Sequence, residues 1–408
     1  MSNDFAVEWI PAGSVTSPLG FRAGGVYAGI KSYGTEDRLD LCLLVADAPC
    51  SVAGVFTKNR VCGAPVTVCR ERVRNGHARA LVVNAGCSNV AMGERGLADA
   101  YRMTELAGLS LGVPAAEVLV ASTGVIGRPL PMEKIAAGLP RITVSRDGGV
   151  AFARAIMTTD LVPKLRALRV RVGDVTYTVG GVAKGAGMVH PDMATVFGFM
   201  TTDAAVEPAL LQEMLREAAD DSFNMVDVDM DTSTSDTMLL FASGAAGGGE
   251  VKRGSDAARA LAFAVRTVAI ELARDLARDG EGARTLIEVV VEGARTLQDA
   301  RIAARTVVSS PLVKTMITGR DPNLGRVMMA LGRSGADVEV ERTSVWIGEQ
   351  CAFLRGAPTE LDYAAISKAM DAPEVKLRAD LGLGSFRATA WGCDLTEDYV
   401  RINADYTT

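Results

Sequence analysis

Short apolar runs separated by polar or glycine-containing turns recur along the chain. Runs of this length, rich in valine, leucine and alanine, are typical of buried strands. They are residues 39–46, 52–57, 80–86, 117–121 and 196–200. Residues 168–172 and 175–179 flank Gly173-Asp174, a spacing that predicts a β-hairpin.

Apolar residues recur at helical spacing in four longer stretches. These are residues 98–109, 150–157, 208–218 and 257–278. Because strands and helices alternate along the chain, the pattern predicts an α/β or α+β fold. We find no repeat, low-complexity tract or Pro/Ser-rich linker that would mark a boundary between domains.

The composition is that of a globular protein with one large or two medium cores. The chain has 408 residues, of which 48% are hydrophobic and 23% are charged. A formal net charge of −6 argues against a nucleic-acid partner, which usually requires a basic face. No apolar run is long enough to span a bilayer, and the N-terminus lacks a signal-peptide pattern, so no membrane partner is expected.

Cysteine and histidine usage narrows the possible chemistry. The seven cysteines are odd in number and form no Cys-x-x-Cys pair, which indicates reduced thiols in the cytoplasm. Because the chain has only two histidines, a three-histidine zinc site is excluded, and only two residues could serve as the histidine of a Ser-His-Asp triad.

Alternating aspartates in residues 227–231 resemble the start of a calcium-binding loop. An EF-hand needs glycine where Thr232 stands and glutamate where Met238 stands. We therefore interpret this segment as a polar strand and turn near a site, and we expect no metal.

Residues 180–203 contain the strongest candidate for chemistry. A glycine-rich loop there leads into an apolar run, and Thr195 lies at the junction. One interpretation is structural, because β-branched threonine is favourable at the start of a strand. The other is that Thr195 is a nucleophile. Its hydroxyl would attack the Ala194 carbonyl, an ester would form by an N-to-O acyl shift, and water would cleave it. Thr195 would then be an N-terminal residue whose free amine can act as the base for its own hydroxyl.

The stretch Lys184-Gly185-Ala186-Gly187-Met188, with Pro191 and Met193-Ala194-Thr195, resembles the self-cleavage signature of the ornithine acetyltransferase (glutamate N-acetyltransferase) family of arginine biosynthesis. The resemblance covers nearly the whole chain. It implies a two-domain α/β fold that is cut between Ala194 and Thr195 into an α chain (1–194) and a β chain (195–408). The site is then expected between the domains and between the two pieces, which associate as a heterotetramer of two α and two β chains.

A second candidate element is the turn Ser122-Thr123-Gly124 at the end of a predicted strand. A backbone N–H and a hydroxyl in such a turn can form an oxyanion hole, although Ser-Thr-Gly is also a common strand-ending turn. The resemblance implies that Thr123 and Gly124 stabilise the oxyanion. It also implies a set of substrate contacts, which are Thr158, Lys184, Thr195, Glu281, Asn403 and Thr408. By its position, Thr159 is a near-equal alternative to Thr158.

The reaction that the resemblance implies is ping-pong acetyl transfer from N2-acetylornithine to glutamate through an acetylated Thr195. No cofactor is expected, and acetyl-CoA is a possible co-substrate. The loop at Lys184 lacks the residue order of a phosphate-binding P-loop.

Four positions depart from the usual family pattern, which keeps other functions open. They are Cys87 (usually Asn), Met230 (usually Gly), Arg284 (usually Thr) and Leu324 (usually Trp). The alternatives are a self-cleaving hydrolase or aminopeptidase, an acetyltransferase of a secondary pathway, and a non-enzymatic binding protein that kept the fold.

The first prediction concerns self-cleavage. Purified wild-type protein is expected to contain two chains, the second beginning Thr-Val-Phe-Gly, whereas Thr195→Ala is expected to remain one uncut chain because it lacks the attacking hydroxyl. Intact mass and N-terminal sequencing measure this. Active material with no N-terminus other than Met1 or Ser2 would refute the nucleophile.

Overall fold

The computed structural model describes residues 5–31, 38–190 and 196–405. The predicted cleavage site, Ala194 and Thr195, lies outside the described residues, and so does the predicted substrate contact Thr408. The boundary between the two expected chains therefore stays a prediction.

Strands account for most of the described core. In chain order they are β1 (Ala6–Trp9), β2 (Phe21–Val26), β3 (Leu41–Phe56), β4 (His77–Cys87), β5 (Val118–Val125), β6 (Lys164–Val172), β7 (Val175–Lys184), β8 (Phe197–Thr202), β9 (Ala205–Val206), β10 (Val226–Asp227), β11 (Thr237–Ala242), β12 (Glu250–Val251), β13 (Leu286–Ala294), β14 (Ser344–Ile347), β15 (Gln350–Leu354), β16 (Ala357–Pro358), β17 (Glu374–Asp380) and β18 (Phe386–Cys393).

Helices cover the sheets and connect their strands. They are α1 (Ala64–Val73), α2 (Gly93–Leu111), α3 (Met132–Gly138), α4 (Gly149–Ala155), α5 (Pro208–Asp221), α6 (Asp256–Arg278), α7 (Leu297–Val308), α8 (Pro311–Thr318), α9 (Leu324–Gly332), α10 (Tyr363–Ala369) and α11 (Glu397–Asp405). Among the described residues, no helix has the length and apolarity required to cross a bilayer.

Two large sheets organise the described chain. The nine-stranded sheet has the order β1-β6-β7-β8-β11-β3-β4-β5, with β2 paired to β3, and the seven-stranded sheet has the order β10-β18-β13-β17-β14-β15-β16. In the first sheet β7 and β8 are antiparallel neighbours. Since β7 precedes and β8 follows the predicted cleavage point, both expected pieces contribute to one hydrogen-bonded sheet.

Helix α6 joins the two sheets. It packs against β6 and β7 of the first sheet and against β13 and β18 of the second. The hydroxyl of Ser255 caps its start by accepting the Ala258 N–H at 3.1 Å, and a continuous face of alanine, valine and leucine is buried. The buried side chains of this face belong to a core cluster that contains residues from both sheets.

The structure confirms the α/β class and most of the predicted elements. The hairpin around Gly173-Asp174 is β6–β7, and the four predicted helices correspond to α2, α4, α5 and α6. Two expectations were wrong. The first is that residues 39–46 and 52–57 form separate strands, because both belong to β3, which has an irregularity in its pairing with β4 between Val45 and Cys50.

The predicted turn at Ser122-Thr123-Gly124 is the second correction. Strand β5 continues to Val125, so Thr123 and Gly124 lie within a strand and not in a turn. They pair with Ala85 and Gly86 of β4, and this pairing extends the strand beyond the apolar run seen in the sequence.

Candidate active site

One cavity of about 130 Å³ lies where several strands of the nine-stranded sheet end or begin. The end of β5, the end of β7 and the start of β8 all contribute to its wall, together with the segment before β11 and the turn after α6. Its lining residues are Lys31, Gly86, Ser88, Thr123, Gly124, Val125, Ile126, Thr158, Thr159, Lys184, Gly187, Met188, Val196, Phe197, Ser233, Thr234, Ser235, Asp236, Glu281 and Asn403.

The pairing of β7 with β8 fixes where the cavity forms. Lys184, the last residue of β7, is paired with Phe197, the first residue of β8. The Lys184 ammonium lies 6.0 Å from the centre of the Phe197 ring. The chain therefore leaves the sheet after Lys184 and re-enters it at the same place, and Val196, which follows the predicted nucleophile Thr195, lines the cavity.

Gly124 occupies a position that only glycine fits. Its φ is +121°, a value that L side chains rarely adopt. A Cβ atom there would lie 2.4 Å from the backbone carbon of Gly86 on the neighbouring strand β4. Because no side chain can intervene, backbone and ligand atoms can approach each other closely beside Thr123.

Lys184 connects β7 to the Thr123 side of the cavity. Its Nζ donates a hydrogen bond of 3.1 Å to Thr123 Oγ1, and the residue is 9% exposed. Burial lowers the pKa of Lys184, and nearby Lys164 lowers it further, while Asp160, Glu281 and Asp236 act in the opposite direction. A largely desolvated ammonium of this kind can form a strong charge-assisted bond with a carboxylate.

Glu281 faces Lys184 from the turn that ends α6. Its backbone N–H donates to the Ala186 carbonyl at 2.8 Å, and its Oε2 accepts the Asn403 side-chain amide at 2.8 Å. A Cβ atom at Gly187 would lie 2.5 Å from the Glu281 carboxyl carbon. Glycine at 187 therefore leaves the space that this carboxyl group occupies, and α11 reaches the cavity through Asn403.

A buried ion cluster lies directly behind these residues. Lys164, which is 1% exposed, donates to Asp160 Oδ1 at 2.6 Å and to Asp279 Oδ2 at 2.5 Å. Asp160 Oδ1 also accepts the Gly185 N–H at 2.7 Å, and Asp279 Oδ2 accepts the Leu161 N–H at 3.0 Å. The cluster thus joins the end of β7, the start of β6 and the end of α6.

Attraction between the Lys164 ammonium and the carboxylates of Asp160 and Asp279 stabilises the cluster. Burial alone would raise the pKa of Asp160, but Lys164, Lys184 and the backbone N–H outweigh it and lower that pKa to about 2. Burial would lower the pKa of Lys164, yet the two aspartates leave it raised. Both pKa shifts favour the charged forms, so the three groups stabilise one another as an ion network.

Asp236 is a second buried acid at the cavity wall. It is 1% exposed, and burial raises its pKa well above the usual range, against hydrogen bonds from Ser233 and Thr57 and the charge of Lys184. Among the described residues its Oδ2 atom has no hydrogen-bond partner. The Lys184 side of the cavity therefore contains two carboxyl groups, those of Asp236 and Glu281.

The structure brings together every predicted site residue that it describes. Those residues are Thr123, Gly124, Thr158, Lys184, Glu281 and Asn403, and all of them line the one cavity. Thr159 lines it as well, so the choice between Thr158 and Thr159 stays open. Their catalytic and binding roles stay predictions, and the predicted nucleophile Thr195 lies outside the described residues.

The four departures from the family pattern lie elsewhere. Cys87, Met230, Arg284 and Leu324 are all described, and none of them lines the cavity. Met230 has a φ of +65°, which explains why glycine is favoured at this position.

Sequence reasoning missed the groups that support the site. Asp160 follows Thr158-Thr159 and Lys164 opens β6, but nothing in their spacing reveals that Asp279, more than a hundred residues later, completes the cluster. Among the described residues, no group of three or more histidine, cysteine or acidic side chains could hold a metal ion.

Comparisons with known proteins cover nearly the whole chain. The model of the ArgJ family matches residues 22–408. The arginine biosynthesis bifunctional protein ArgJ of Symbiobacterium thermophilum is 50% identical over 98% of this chain and 100% of its own length. Its counterpart in Dehalococcoides mccartyi is 46% identical over 99% of each chain. A crystal structure of ornithine acetyltransferase complexed with ornithine from Mycobacterium tuberculosis shares 40% identity, with a TM-score of 0.43 over 46% of this chain and 100% of that one.

The ion cluster generates a stability prediction. Lys164→Met should lower the free energy of unfolding at pH 7 by about 3–5 kcal/mol, because it leaves Asp160 and Asp279 buried without their cation. The matched control is Lys376→Met, which removes a half-exposed ion pair with Glu288 and should change stability by less than about 1 kcal/mol. Urea unfolding measures both, and equal losses would contradict the assigned role of the cluster.

The same variant has a predicted pH dependence. Because the pKa of Asp160 falls to about 2 on folding, from about 3.9 in an unfolded chain, its contribution is complete above pH ~4. It is lost as the pH falls towards 2. The stability difference between wild type and Lys164→Met should therefore narrow over that range.

Proposed function

The chain belongs to the ArgJ family of arginine biosynthesis, as its motifs predicted, and from this membership we propose that it is an acetyltransferase that moves the acetyl group of N2-acetylornithine to glutamate. The observation that carries the proposal is the convergence of Thr123, Lys184 and Glu281 on one cavity beside Val196. Val196 is the residue that directly follows the proposed nucleophile.

The enzyme first cuts its own chain. The Thr195 hydroxyl attacks the Ala194 carbonyl carbon, the peptide C–N bond breaks, and the hydroxyl proton passes to the released nitrogen. Water then hydrolyses the resulting ester, leaving a carboxylate on Ala194 and a free amine on Thr195. That amine is the general base of the mature enzyme.

The first half of the transfer cycle releases ornithine. The Thr195 hydroxyl attacks the acetyl carbonyl carbon while its amine takes the hydroxyl proton, and the negative charge develops on the carbonyl oxygen. The Thr123 hydroxyl and the Gly124 N–H stabilise that oxygen. The bond from the acetyl carbon to the ornithine nitrogen breaks, the proton passes to that nitrogen, and the acetyl group remains on Thr195 as an ester.

The second half consumes glutamate. Its amine attacks the ester carbon, the bond to the Thr195 oxygen breaks, and the threonine hydroxyl regains its proton. Both amino acids carry an α-carboxylate, so Lys184 can hold each of them in turn by a charge-assisted bond. Glu281, with Asn403 beside it, suits the amino groups of ornithine. Thr158 and Thr408 complete the proposed substrate contacts.

Two further parts of the proposal concern co-substrate and assembly. The relatives are named bifunctional proteins, which favours acetyl-CoA as a second acetyl donor for glutamate, with no bound cofactor. The two pieces are proposed to associate as a heterotetramer of two α and two β chains.

The proposed function predicts a fixed ratio between the products that are released. With N2-acetylornithine and glutamate, wild-type enzyme should release ornithine and N-acetylglutamate in equal amounts. Without glutamate, ornithine release should stop after a stoichiometric burst, because the acetyl group stays on the enzyme. Free acetate that forms at the steady-state rate would show a hydrolase and refute the transferase. A third arm that contains acetyl-CoA and glutamate tests the second donor.

A single substitution in the cavity tests whether the residues that line it contribute to this reaction. Thr123→Val removes the proposed oxyanion donor and should lower kcat by about a hundredfold to a thousandfold. The matched control is Thr67→Val on the exposed face of α1, which should retain wild-type activity. Equal kcat values for the two variants would remove Thr123 from the mechanism.

A further inference from the structure

The aspartate repeat at residues 227–231 has no role in the chemistry described so far. It begins in β10 and continues into the segment that leads to β11. Two of its carboxylates, those of Asp227 and Asp229, hold the residues immediately before the undescribed span 191–195. That span contains the bond proposed to be cut.

Asp229 binds two consecutive backbone groups. Its Oδ2 accepts the Met188 N–H at 2.6 Å, and its Oδ1 accepts the Val189 N–H at 2.9 Å. Met188 has a φ of +55°, an uncommon conformation for a residue with a side chain, which this carboxylate stabilises. The Asp229 carboxylate also contributes to raising the pKa of Tyr399 of α11, after burial, which is the larger cause.

Asp227 holds the next residue. Its Oδ1 lies 2.7 Å from His190 Nδ1, and its Oδ2 lies 3.0 Å from the buried Lys314 ammonium. Lys314 also donates to the carbonyls of Asp227 and Cys393, at 3.2 and 2.9 Å. The position of the Asp227 carboxylate is therefore fixed by a lysine that is itself anchored in the core.

Further hydrogen bonds join the same segment to the chain on both sides of residues 191–195. The Val228 N–H donates to the Val189 carbonyl at 2.7 Å, and the Thr232 hydroxyl donates to the His190 carbonyl at 3.3 Å. On the far side, the Thr237 N–H donates to the Val196 carbonyl at 3.2 Å. One segment, residues 226–237, thus binds the chain just before and just after residues 191–195.

We propose that Asp229 and Asp227 are positioning residues for self-cleavage, which hold Met188–His190 so that the Thr195 hydroxyl meets the Ala194 carbonyl. This inference rests on the proposed self-cleaving function. The aspartates take no proton and form no covalent bond in the step. They act by restricting the conformations of Met188–His190, from which the chain continues to the reacting residues, and this raises the fraction of molecules with the reacting atoms in line.

The test compares cleavage rates of Asp229→Asn and Asp231→Asn. Asparagine has one acceptor oxygen, so one of the two N–H groups bound by Asp229 would face an amide NH₂ instead. Asp231 belongs to the same repeat, but its side chain is exposed and its backbone N–H donates to Asp229 Oδ1, a bond that the substitution leaves in place. It is therefore the matched control. Freshly synthesised full-length chains are followed by intact mass at fixed temperature.

The expected result is cleavage about tenfold to a hundredfold slower in Asp229→Asn, with wild-type kinetics in Asp231→Asn. Tyr399→Phe should also cleave at the wild-type rate, since the Met188 and Val189 N–H groups still donate to Asp229. Thermal unfolding of Asp229→Asn in the uncut Thr195→Ala background verifies that the variant is folded. If it does not fold, Asp229→Glu replaces it, because glutamate keeps the charge but displaces the carboxylate.

The possible results distinguish a failure of the positioning role from a failure of the proposed self-cleavage. Wild-type cleavage kinetics in a folded Asp229→Asn or Asp229→Glu chain, beside a cleaving wild type, would overturn the positioning role alone. Equal slowing in Asp231→Asn would do the same, because it would indicate a general effect of charge. A wild-type chain that never cleaves would overturn the proposed function and the inference together.

Discussion

The antiparallel pairing of β7 with β8 is the constraint on which the site depends. Because Lys184 is paired with Phe197, the glycine-rich loop between them starts and ends at one point of the sheet. The same point faces Thr123 on β5 and Glu281 after α6. The Lys164 cluster connects these elements. Lys164 binds Asp160 and Asp279, and Asp160 accepts the Gly185 N–H at the end of β7. The cut that we propose between Lys184 and Phe197 would therefore leave both pieces in one sheet.

Much of the fold was predictable because it follows from periodicity. The hairpin at Gly173-Asp174 and the long helix α6 were evident from turn chemistry and helical spacing. The extension of β5 through Thr123 and Gly124 was not, because a polar Ser-Thr-Gly sequence favours a turn. Pairing with Ala85 and Gly86 overrides that local preference, and such pairing cannot be inferred from a single stretch of sequence.

The residues of the site likewise include some that the sequence revealed and others that it did not. Residues with a recognisable motif, such as Lys184 and Glu281, were named from the sequence and lie in the cavity. Residues that act through distant partners were missed. Lys164 looks like any lysine at the start of a strand until Asp279 is brought to it, and the aspartate repeat resembles a failed calcium loop until Met188 and Val189 are seen to donate to it. Long-range electrostatic and hydrogen-bond partners are decided by the tertiary fold, which single-sequence patterns do not encode.

In the mechanism that we propose, an N-terminal threonine carries the acetyl group between two amino acids. Enzyme mixed with N2-acetylornithine in the absence of glutamate, quenched with acid and digested, can be analysed by peptide mass. We expect the peptide beginning Thr-Val-Phe-Gly to gain the mass of one acetyl group and to lose it when glutamate is added before the quench. Release of ornithine with no acetylated Thr195 peptide, or with the acetyl group on another residue, would contradict this mechanism.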